Sequence, residues 1–267
     1  MIIQGDCLLE ISKIGKPTLI YADPPFNVGR NFVGRSGASF VDTWENLNSY
    51  LDWLEARIYE CHSAIKDNGS FWLHLDHRAV HEAKAICDSI FAKYQGEIIW
   101  ETGNGLRGKR VGPGITHQTI LIYSKAEKIT WNTQREPYAD TSKKMHFNNI
   151  EEGTGRRYRK KIVAGRTYIY YEDEGRAMGS VWVDCPSMSA NSPIMGSEGY
   201  PTQKPISLLT RIVKSASNIG DLVLDPFCGS GTTCVAAMSL GRKYVGIDAS
   251  PDAVRITKAR LRLQEND

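Results

Sequence analysis

Hydrophobic and polar positions follow two alternating patterns along the chain. Short apolar runs bounded by turn residues predict buried strands. These runs are Met1–Gln4, Thr18–Ala22, Ser70–Leu75, Gly96–Glu101, Thr119–Tyr123, Leu222–Leu224 and Tyr244–Ile247. Between them, apolar residues recur at spacings of three and four, which predicts helices. The first helix is marked by Leu51, Leu54, Ile58, Cys61 and Ile65, and its predicted end is Asn68-Gly69.

Four further helices complete the pattern. They are predicted around Val80–Ile90, over Ile206–Ala216 after Pro205, over Thr232–Leu240, and from Ser250-Pro251 to the C-terminal end. Serine at the N-cap and proline at the first helical position are typical of a helix start. Strands that alternate with helices predict an α/β fold with a parallel, doubly wound sheet.

The middle of the chain departs from this pattern. From about Lys125 to Gly199 the sequence is polar, rich in Tyr, Arg, Gly and Ser, and without clear helical periodicity. Short β elements are expected near Trp131, at Tyr168–Tyr171 and at Val181-Trp182. We interpret this region as an inserted module.

Composition narrows the class of protein. A length of 267 residues, with 41% hydrophobic and 24% charged residues, suits one large domain with an insertion, or at most two domains. No run of 18 apolar residues predicts a membrane span, and the N-terminus does not resemble a secretory signal. The six cysteines form no CxxC pair, which indicates reduced thiols in a cytoplasmic protein and no metal site.

Charge is concentrated in two segments. The net charge is only +3, but Gly155–Arg166 carries six basic residues and no acid, and Gly105–Arg110 is a second basic, glycine-broken loop. Such runs are usually solvated surface. Two of them, one of which carries Tyr158, favour a polyanionic partner.

The stretch YADPPFNVG, Tyr21–Gly29, places a carboxylate and an aromatic ring directly after a predicted strand. Two prolines stop the strand ladder and fix the backbone, so Asp23 and Phe26 are held at the end of the sheet. Asp-Pro-Pro alone is more often a rigid turn than a site. It becomes significant only together with a second motif.

That second motif lies at the other end of the chain. The segment that contains Gly229-Ser230-Gly231 is predicted as strand, glycine loop, helix and strand, and Asp248 ends the last strand. An acid at this position accepts hydrogen bonds from ribose hydroxyls in nucleotide-binding folds. Asp225 precedes the loop, where it would repel phosphate and attract a cation. These charges favour S-adenosylmethionine over NAD.

Several motifs together resemble the amino-group DNA methyltransferases. DPPF at Asp23–Phe26 resembles their catalytic (D/N/S)PP(Y/F) motif, and DPFCGSGTT at Asp225–Thr233 looks like their cofactor loop. YPTQKPISLL at Tyr200–Leu209, IIQGDCLL near the N-terminus and DNGSFWL at Asp67–Leu73 are similar to further segments of the same group. The order, with the catalytic motif before the cofactor loop, resembles the circularly permuted β group, which includes many bacterial adenine-N6 enzymes.

The resemblance implies a domain plan. Residues 1–124 and 200–267 would form a Rossmann-like catalytic domain of the class I methyltransferase type. Residues 125–199 would form the target-recognition region. The implied substrate is double-stranded DNA, in a bacterial or phage-encoded, cytoplasmic and nucleoid-associated protein. A cognate restriction endonuclease and a homodimer are further partners that such a family allows.

The resemblance also implies roles for individual residues. The catalytic set is Asp23, Pro24, Pro25 and Phe26. The cofactor set is Asp6, Cys7, Asp23, Thr202, Lys204, Asp225, Phe227, Cys228, Gly229, Ser230, Gly231, Thr232, Asp248 and Ala249. In this set Asp248 would hold the ribose, Asp6 the adenine amino group, and Lys204 the carboxylate of the cofactor. The expected DNA contacts are Arg30, Arg107, Lys109, Arg110, Arg156, Arg157 and Lys160.

The chemistry of the first motif fits an exocyclic amine. The Asp23 carboxylate and the Pro24 carbonyl offer two acceptors for its N–H groups, and Phe26 offers a face for stacking. Catalysis would then be positioning and electrostatics, on a base flipped out of the duplex.

Alternatives remain open at this point. Cytosine-N4 transfer uses the same geometry, although Asp23 favours adenine because serine is commoner there in the cytosine enzymes. A guanine-N2 RNA enzyme would carry the glycine loop before DPPF. Cytosine-C5 chemistry needs Pro-Cys, whereas this chain has Cys185-Pro186. A non-catalytic DNA-binding module derived from such an enzyme is the alternative of another class.

Overall fold

The computed structural model of the 267-residue chain describes residues 1–33, 39–102, 111–187 and 202–265. This part of the chain divides into two compact units: Met1–Asn132 with Ser180–Asp267, and Thr133–Gly179. We call them the large unit and the small unit.

The large unit is built on a sheet that has eight strands within the described residues. In chain order they are β1 Ile2–Gln4, β2 Leu19–Ala22, β5 Ser70–Leu75, β6 Lys93–Glu101, β7 His117–Ser124, β13 Val181–Trp182, β14 Leu222–Asp225 and β15 Lys243–Asp248. Their order across the sheet is β1-β15-β14-β2-β5-β7-β6-β13. A separate hairpin pairs β3 Arg30–Val33 with β4 Ser39–Asp42.

The sheet is mostly parallel, as the alternation of strands and helices predicts. Strands β1, β15, β14, β2 and β5 form consecutive parallel pairs. Strand β7 runs antiparallel to both neighbours, β5 and β6. The sequence did not predict this reversal, because a buried strand has the same apolar pattern in either direction.

Helices cover the sheet. Those of the large unit are α1 Cys7–Glu10, α2 Leu47–Ala64, α3 Val80–Ile90, α5 Ile206–Ala216, α6 Thr232–Ser239 and α7 Pro251–Glu265, with a short 3₁₀ turn at Ile11–Lys13. All residues of β2 and β5 are buried, which requires cover on both faces. Among the helices of the described residues, none is both long and apolar enough to cross a bilayer.

The predicted end of α2 was wrong by one turn. The helix ends at Ala64, and Ile65 is extended with φ −67° and ψ 146°. Ile65 is fully buried, so its place in the apolar spacing reflects core packing beyond the helix end. Gly69 follows in the turn, where a Cβ would lie 2.7 Å from the Thr18 carbonyl oxygen.

The small unit combines short strands with one helix in its described residues. They are β8 Arg135–Glu136, α4 Asp140–His146, β9 Asn149–Ile150, β10 Arg157–Val163, β11 Arg166–Tyr171 and β12 Arg176–Ala177. Strands β9, β10 and β11 form an antiparallel sheet, and β8 pairs with β12. The helix α4 was not predicted, because its seven residues leave no buried side chain and therefore no apolar periodicity.

The small unit is shorter than the predicted insert of 125–199, of which residues 188–199 lie outside the described part of the chain. Trp131 is not in a strand; its ring stacks on that of Trp72, 6.1 Å away. Val181-Trp182 is a strand as predicted, but it pairs with β6 and so extends the large sheet. Both segments belong to the large unit, where Trp182 is buried and Trp131 contacts Trp72.

Candidate active site

Carboxylates follow the ends of adjacent parallel strands in the large sheet. Asp6 follows β1, Asp248 ends β15, Asp225 ends β14 and Asp23 follows β2. In open α/β sheets, ligands bind at the carboxyl ends of strands. The fold therefore gathers acids from both ends of the sequence at one edge.

A cavity of about 660 Å³ opens at this edge. Its volume lies within the range of about 300–1,000 Å³ that is typical of ligand pockets. Every predicted catalytic residue lines it, and so does every predicted cofactor residue except Gly231. Further lining residues to which the sequence assigned no role include Tyr21, Val28, Phe32, Asp42, Trp53 and Arg57.

The Asp23–Phe26 turn is held from outside the motif. The Asp42 carboxylate, at the end of β4, accepts hydrogen bonds from the backbone N–H of Phe26 at 3.3 Å and of Val28 at 3.1 Å. The Tyr50 hydroxyl donates to the Pro25 carbonyl at 2.9 Å. Asp42 and Tyr50 are both buried, so the turn is fixed by two side chains that belong to no recognisable motif.

The Asp23 carboxylate is paired with Lys204. The lysine Nζ lies 2.8 Å from Oδ1 and 2.6 Å from Oδ2, and it also lies 5.0 Å from the centre of the Phe26 ring. Burial raises the pKa of Asp23, while the Lys204 ammonium opposes that rise. Lys204 lines the cavity, but its partner here is the Asp23 carboxylate.

A buried pair lies beneath Asp23. The Tyr21 hydroxyl and His74 Nδ1 are 2.6 Å apart, and His74 Nδ1 is 3.9 Å from Asp23 Oδ1. Burial holds the pKa of His74 well below its ordinary value, and nearby Lys204 lowers it further. His74 is therefore neutral, and Lys204 is the cation that faces Asp23.

The glycine loop is fastened to Asp248. The backbone N–H of Gly229 donates to Asp248 Oδ2 and that of Ser250 to Oδ1, both at 2.8 Å. These bonds aim the carboxylate and leave lone pairs for a ligand hydroxyl. Burial raises the pKa of Asp248, and the two N–H groups oppose this.

Gly231 serves packing. It adopts φ +78°, and a Cβ there would lie 2.4 Å from Cγ2 of Thr257 on α7. The Thr257 hydroxyl in turn donates to the Gly229 carbonyl at 2.9 Å. Glycine is required at 231 so that the loop can approach α7, which explains why this residue does not line the cavity.

Asp225 is almost fully buried. It is 3% exposed, and one oxygen accepts from the Phe227 N–H at 3.0 Å. Burial raises its pKa to about 7. The carboxylate therefore changes charge near neutral pH, at a place where a bound cation would favour the ionised form.

Asp6 is the N-cap of α1 and has a second partner. One oxygen accepts from the Leu8 N–H at 3.0 Å, and the other lies 2.6 Å from an Arg57 nitrogen. Arg57 in turn stacks on Trp53, 4.1 Å from the ring centre. The aspartate thus ends the cavity on the side of β1, next to an aromatic surface.

Comparison with known proteins identifies the family. The N6/N4 DNA methylase model matches residues 18–259. This chain belongs to that DNA methylase family. The methylase is 31% identical to the DNA adenine methyltransferase YhdJ of Escherichia coli K12, over 97% of this chain and 82% of that protein.

Two solved structures share the fold. The M1.HpyAVI–SAM complex has a TM-score of 0.58 at 18% identity, covering 97% of this chain and 98% of that one. The cytosine-N4-specific PvuII DNA methyltransferase has a TM-score of 0.66 at 16% identity, covering 97% and 85%. The mostly parallel α/β fold predicted from the sequence is thus confirmed.

The cysteines of the methylase are all free and buried, as the sequence predicted. Two of them line the cavity, Cys7 and Cys228. Burial raises the pKa of Cys7 to about 12 and that of Cys228 well above its ordinary value. Both thiols are therefore protonated, which excludes them as thiolate nucleophiles at neutral pH.

The predicted DNA contacts of the methylase fall into three groups. Arg30 is exposed on β3 and lies 4.7 Å from the ring centre of Phe32, which lines the cavity. Arg107, Lys109 and Arg110 lie outside the described residues. The third group, Arg156, Arg157 and Lys160, lies in the small unit.

Within that third group, charge is partly neutralised. Arg156 forms ion pairs with Asp173 at 2.7 Å and Glu174 at 3.2 Å. Arg157 lies 3.4 Å from Glu172. Lys160 is exposed on β10, and its side-chain contact within the described residues is with the ring of Tyr158. The basic run is therefore not uniformly available to a polyanion.

Proposed function

We propose that this methylase transfers a methyl group from S-adenosylmethionine to the N6 amino group of adenine in double-stranded DNA. The observation that carries the proposal is the shared cavity, which is lined by the Asp23–Phe26 turn, by residues of the loop after Asp225, and by Asp248. Kinship with a DNA adenine methyltransferase supports the choice of base.

The cavity residues fit the proposed cofactor. When bound, S-adenosylmethionine would supply a methyl group that is bonded to a positively charged sulfur, and an amine nitrogen would displace the sulfur from that methyl group. The Asp248 carboxylate, aimed by two backbone N–H groups, would accept from the ribose hydroxyls. Asp225 would provide negative charge for a cationic ligand. Thr202 and Thr232, which line the cavity, would contact the carboxylate of the cofactor.

The Asp23–Phe26 turn would bind and activate the target amine. The N–H groups of the amine would donate to the Asp23 carboxylate and the Pro24 carbonyl, and these hydrogen bonds would concentrate the lone pair on the amine nitrogen. Lys204 takes one position on each Asp23 oxygen, and a carboxylate has about four acceptor sites. The ion pair therefore leaves room for the amine. Phe26 would stack on the flipped base, which offsets part of the unstacking cost.

Cytosine-N4 transfer is the second candidate, because it needs the same acceptors. Structural likeness to the cytosine-N4 enzyme, at 16% identity, concerns the fold alone. The proposal extends to an action at the bacterial nucleoid in the cytoplasm. A cognate restriction endonuclease and a homodimer belong to the same proposal, with type II methyltransferases such as M.HinfI of Haemophilus influenzae among the relatives.

The test is methyl transfer to DNA with labelled S-adenosylmethionine, followed by nucleoside mass spectrometry. We expect label in N6-methyladenine for the wild type and none for Asp23→Ala, since the amine loses its charged acceptor. Asp52→Ala is the matched control, because Asp52 is exposed on α2 outside the cavity. Label only in N4-methylcytosine or in RNA would contradict the base assignment. Wild-type turnover by Asp23→Ala would contradict the mechanism.

A further inference from the structure

Strands β10 and β11 of the small unit form a long hairpin. Six residue pairs run from Tyr158–Tyr171 to Val163–Arg166. Ala164 and Gly165 connect the strands with φ of 47° and 78°, which is the two-residue turn that matches the twist of a hairpin. We call residues Lys160–Ile169 the ribbon tip.

The ribbon tip is exposed on both faces. Every residue from Lys160 to Ile169 is exposed, including Ile162 at 72%, Ile169 at 50% and Tyr168 at 43%. An antiparallel sheet normally buries one face, and a two-stranded hairpin is marginally stable by itself. The tip therefore presents apolar side chains that no part of the described small unit covers.

Both faces of the tip carry positive charge. Cross-strand partners share a face, so Lys161, Tyr168, Val163 and Arg166 lie on one side, and Lys160, Ile169, Ile162 and Thr167 lie on the other. No acid occurs between Gly155 and Tyr171. Among the described residues, Lys160, Lys161 and Arg166 form no ion pair with an acid, whereas Arg156 is paired with Asp173 and Glu174.

The base of the ribbon packs against other residues of the small unit. Arg159 is surrounded by the rings of Tyr138, Phe147 and Tyr170, at 5.4, 5.4 and 5.2 Å. Arg157 donates to the Phe147 carbonyl at 3.0 Å, and Phe147 is fully buried. An anchored base with a projecting tip is suited to insertion into a partner.

We infer that the ribbon tip enters the major groove of duplex DNA and reads base edges there. The major groove is about 12 Å wide and about 8.5 Å deep, and it admits a two-stranded ribbon. The four tip residues of β10 span about 14 Å at about 3.4 Å per residue, which exceeds the depth of the groove. Lys160, Lys161 and Arg166 then contact phosphates, while apolar side chains contact thymine methyl groups.

This inference rests on the DNA substrate proposed above and names the surface that selects the sequence. The test first maps the methylated site by sequencing DNA from cells that express the protein. A 30-bp duplex with that site, about three helical turns long, then serves as the probe in titrations at several salt concentrations. Lys161→Ala and Arg166→Ala should each reduce the slope of log affinity against log salt by about one.

Site selection gives an independent reading. Ile162→Ser should lower the preference for the mapped site over a one-base variant by about tenfold, with little loss of affinity for non-specific DNA. Lys144→Ala, an exposed lysine on α4 of the same unit, is the matched control and should retain most of the wild-type slope.

The outcomes separate the two proposals. If the wild type methylates DNA but slopes and site preference are unchanged in all tip variants, the ribbon assignment is overturned. A loss of affinity confined to an RNA duplex of the same sequence would also overturn it. If the wild type transfers no methyl group to DNA, the proposed function fails, whereas salt titrations of the tip variants on a non-specific 30-bp duplex still decide whether the tip binds DNA.

Discussion

Replacing Lys204 by methionine should destabilise the methylase and shift its pH dependence. The lysine and Asp23 side chains are only 9% and 17% exposed, and their nearest charged atoms are 2.6 Å apart. At an effective dielectric constant of about 20, charges about 2.7 Å apart attract by about 6 kcal/mol. Removing one partner of a buried pair costs about 3–5 kcal/mol, because the other charge is left unpaired. We expect a loss of this size in the free energy of unfolding for Lys204→Met.

The assay is a double-mutant cycle with Lys204→Met, Asp23→Asn and the double variant, measured by urea unfolding. The double variant should be more stable than Lys204→Met, because no buried charge remains without a partner. Equal or lower stability of the double variant, with the two losses simply adding, would refute the reasoning. Lys204→Arg keeps the charge and should recover part of the stability.

The same substitution makes a prediction for catalysis. Asp23 must be ionised to accept the amine, so activity falls as pH falls through its pKa. Burial raises that pKa and Lys204 opposes the rise. Tyr21, His74 and Asp225 are titratable neighbours of Asp23. Removing Lys204 should therefore move the acidic limb of the kcat/KM profile to higher pH, and an unmoved limb would show that Lys204 does not tune Asp23.

Three further predictions concern other parts of the cavity. Asp42→Ala removes the acceptor for the N–H groups of Phe26 and Val28. Because a 1 Å misplacement of a reacting group lowers the rate by about 10²-fold, the single-turnover rate should fall by about that factor, while calorimetric cofactor affinity stays near wild type. An unchanged rate would mean that Asp42 does not fix the turn. Asp248→Ala should weaken calorimetric affinity for S-adenosylmethionine by about 1–3 kcal/mol, since buried acceptors are lost, and unchanged affinity would remove Asp248 from the site. Asp225 has a folded-state pKa of about 7 against an ordinary 3.8, so it binds its proton more tightly in the folded protein. The free energy of unfolding of the ligand-free protein should therefore fall as pH rises from about 4 to about 7, and cofactor affinity should rise over the same range. Asp225→Asn should flatten both curves, and persistence of both slopes would contradict the assignment.

The sequence predicted the strands of the sheet better than their directions and pairing partners. Runs of apolar residues identified β2 and β5 because full burial leaves a continuous pattern in the sequence. The reversal of β7 leaves no such mark, and a strand as short as Val181-Trp182 could not be assigned to one sheet or another from two residues.

Residues that line the cavity were predicted from the sequence only where they lie in short contiguous motifs. Asp23–Phe26 and Asp225–Gly231 are recognisable as short strings, and the cavity brings them together. Asp42 holds the turn from 16 positions away with no motif of its own, and the Lys204–Asp23 pair spans 181 positions. Charge runs are similarly incomplete as indicators, since Arg156 finds its acids only when β10 and β11 pair. Contacts of this kind depend on the folded register, which local sequence does not encode.

The two ends of the small unit lie side by side as paired strands. Its first strand, β8, and its last, β12, are hydrogen-bonded neighbours, with Arg135 opposite Ala177. The flanking residues are fastened within the large unit: the Asn132 N–H donates to the Ser215 carbonyl at 2.7 Å, and the Ser180 carbonyl accepts from the Ile99 N–H at 2.8 Å. Insertions whose ends lie close together can be exchanged without disturbing their host. We therefore expect a chimera in which residues 133–179 are replaced as one segment to keep the strand register of the large sheet.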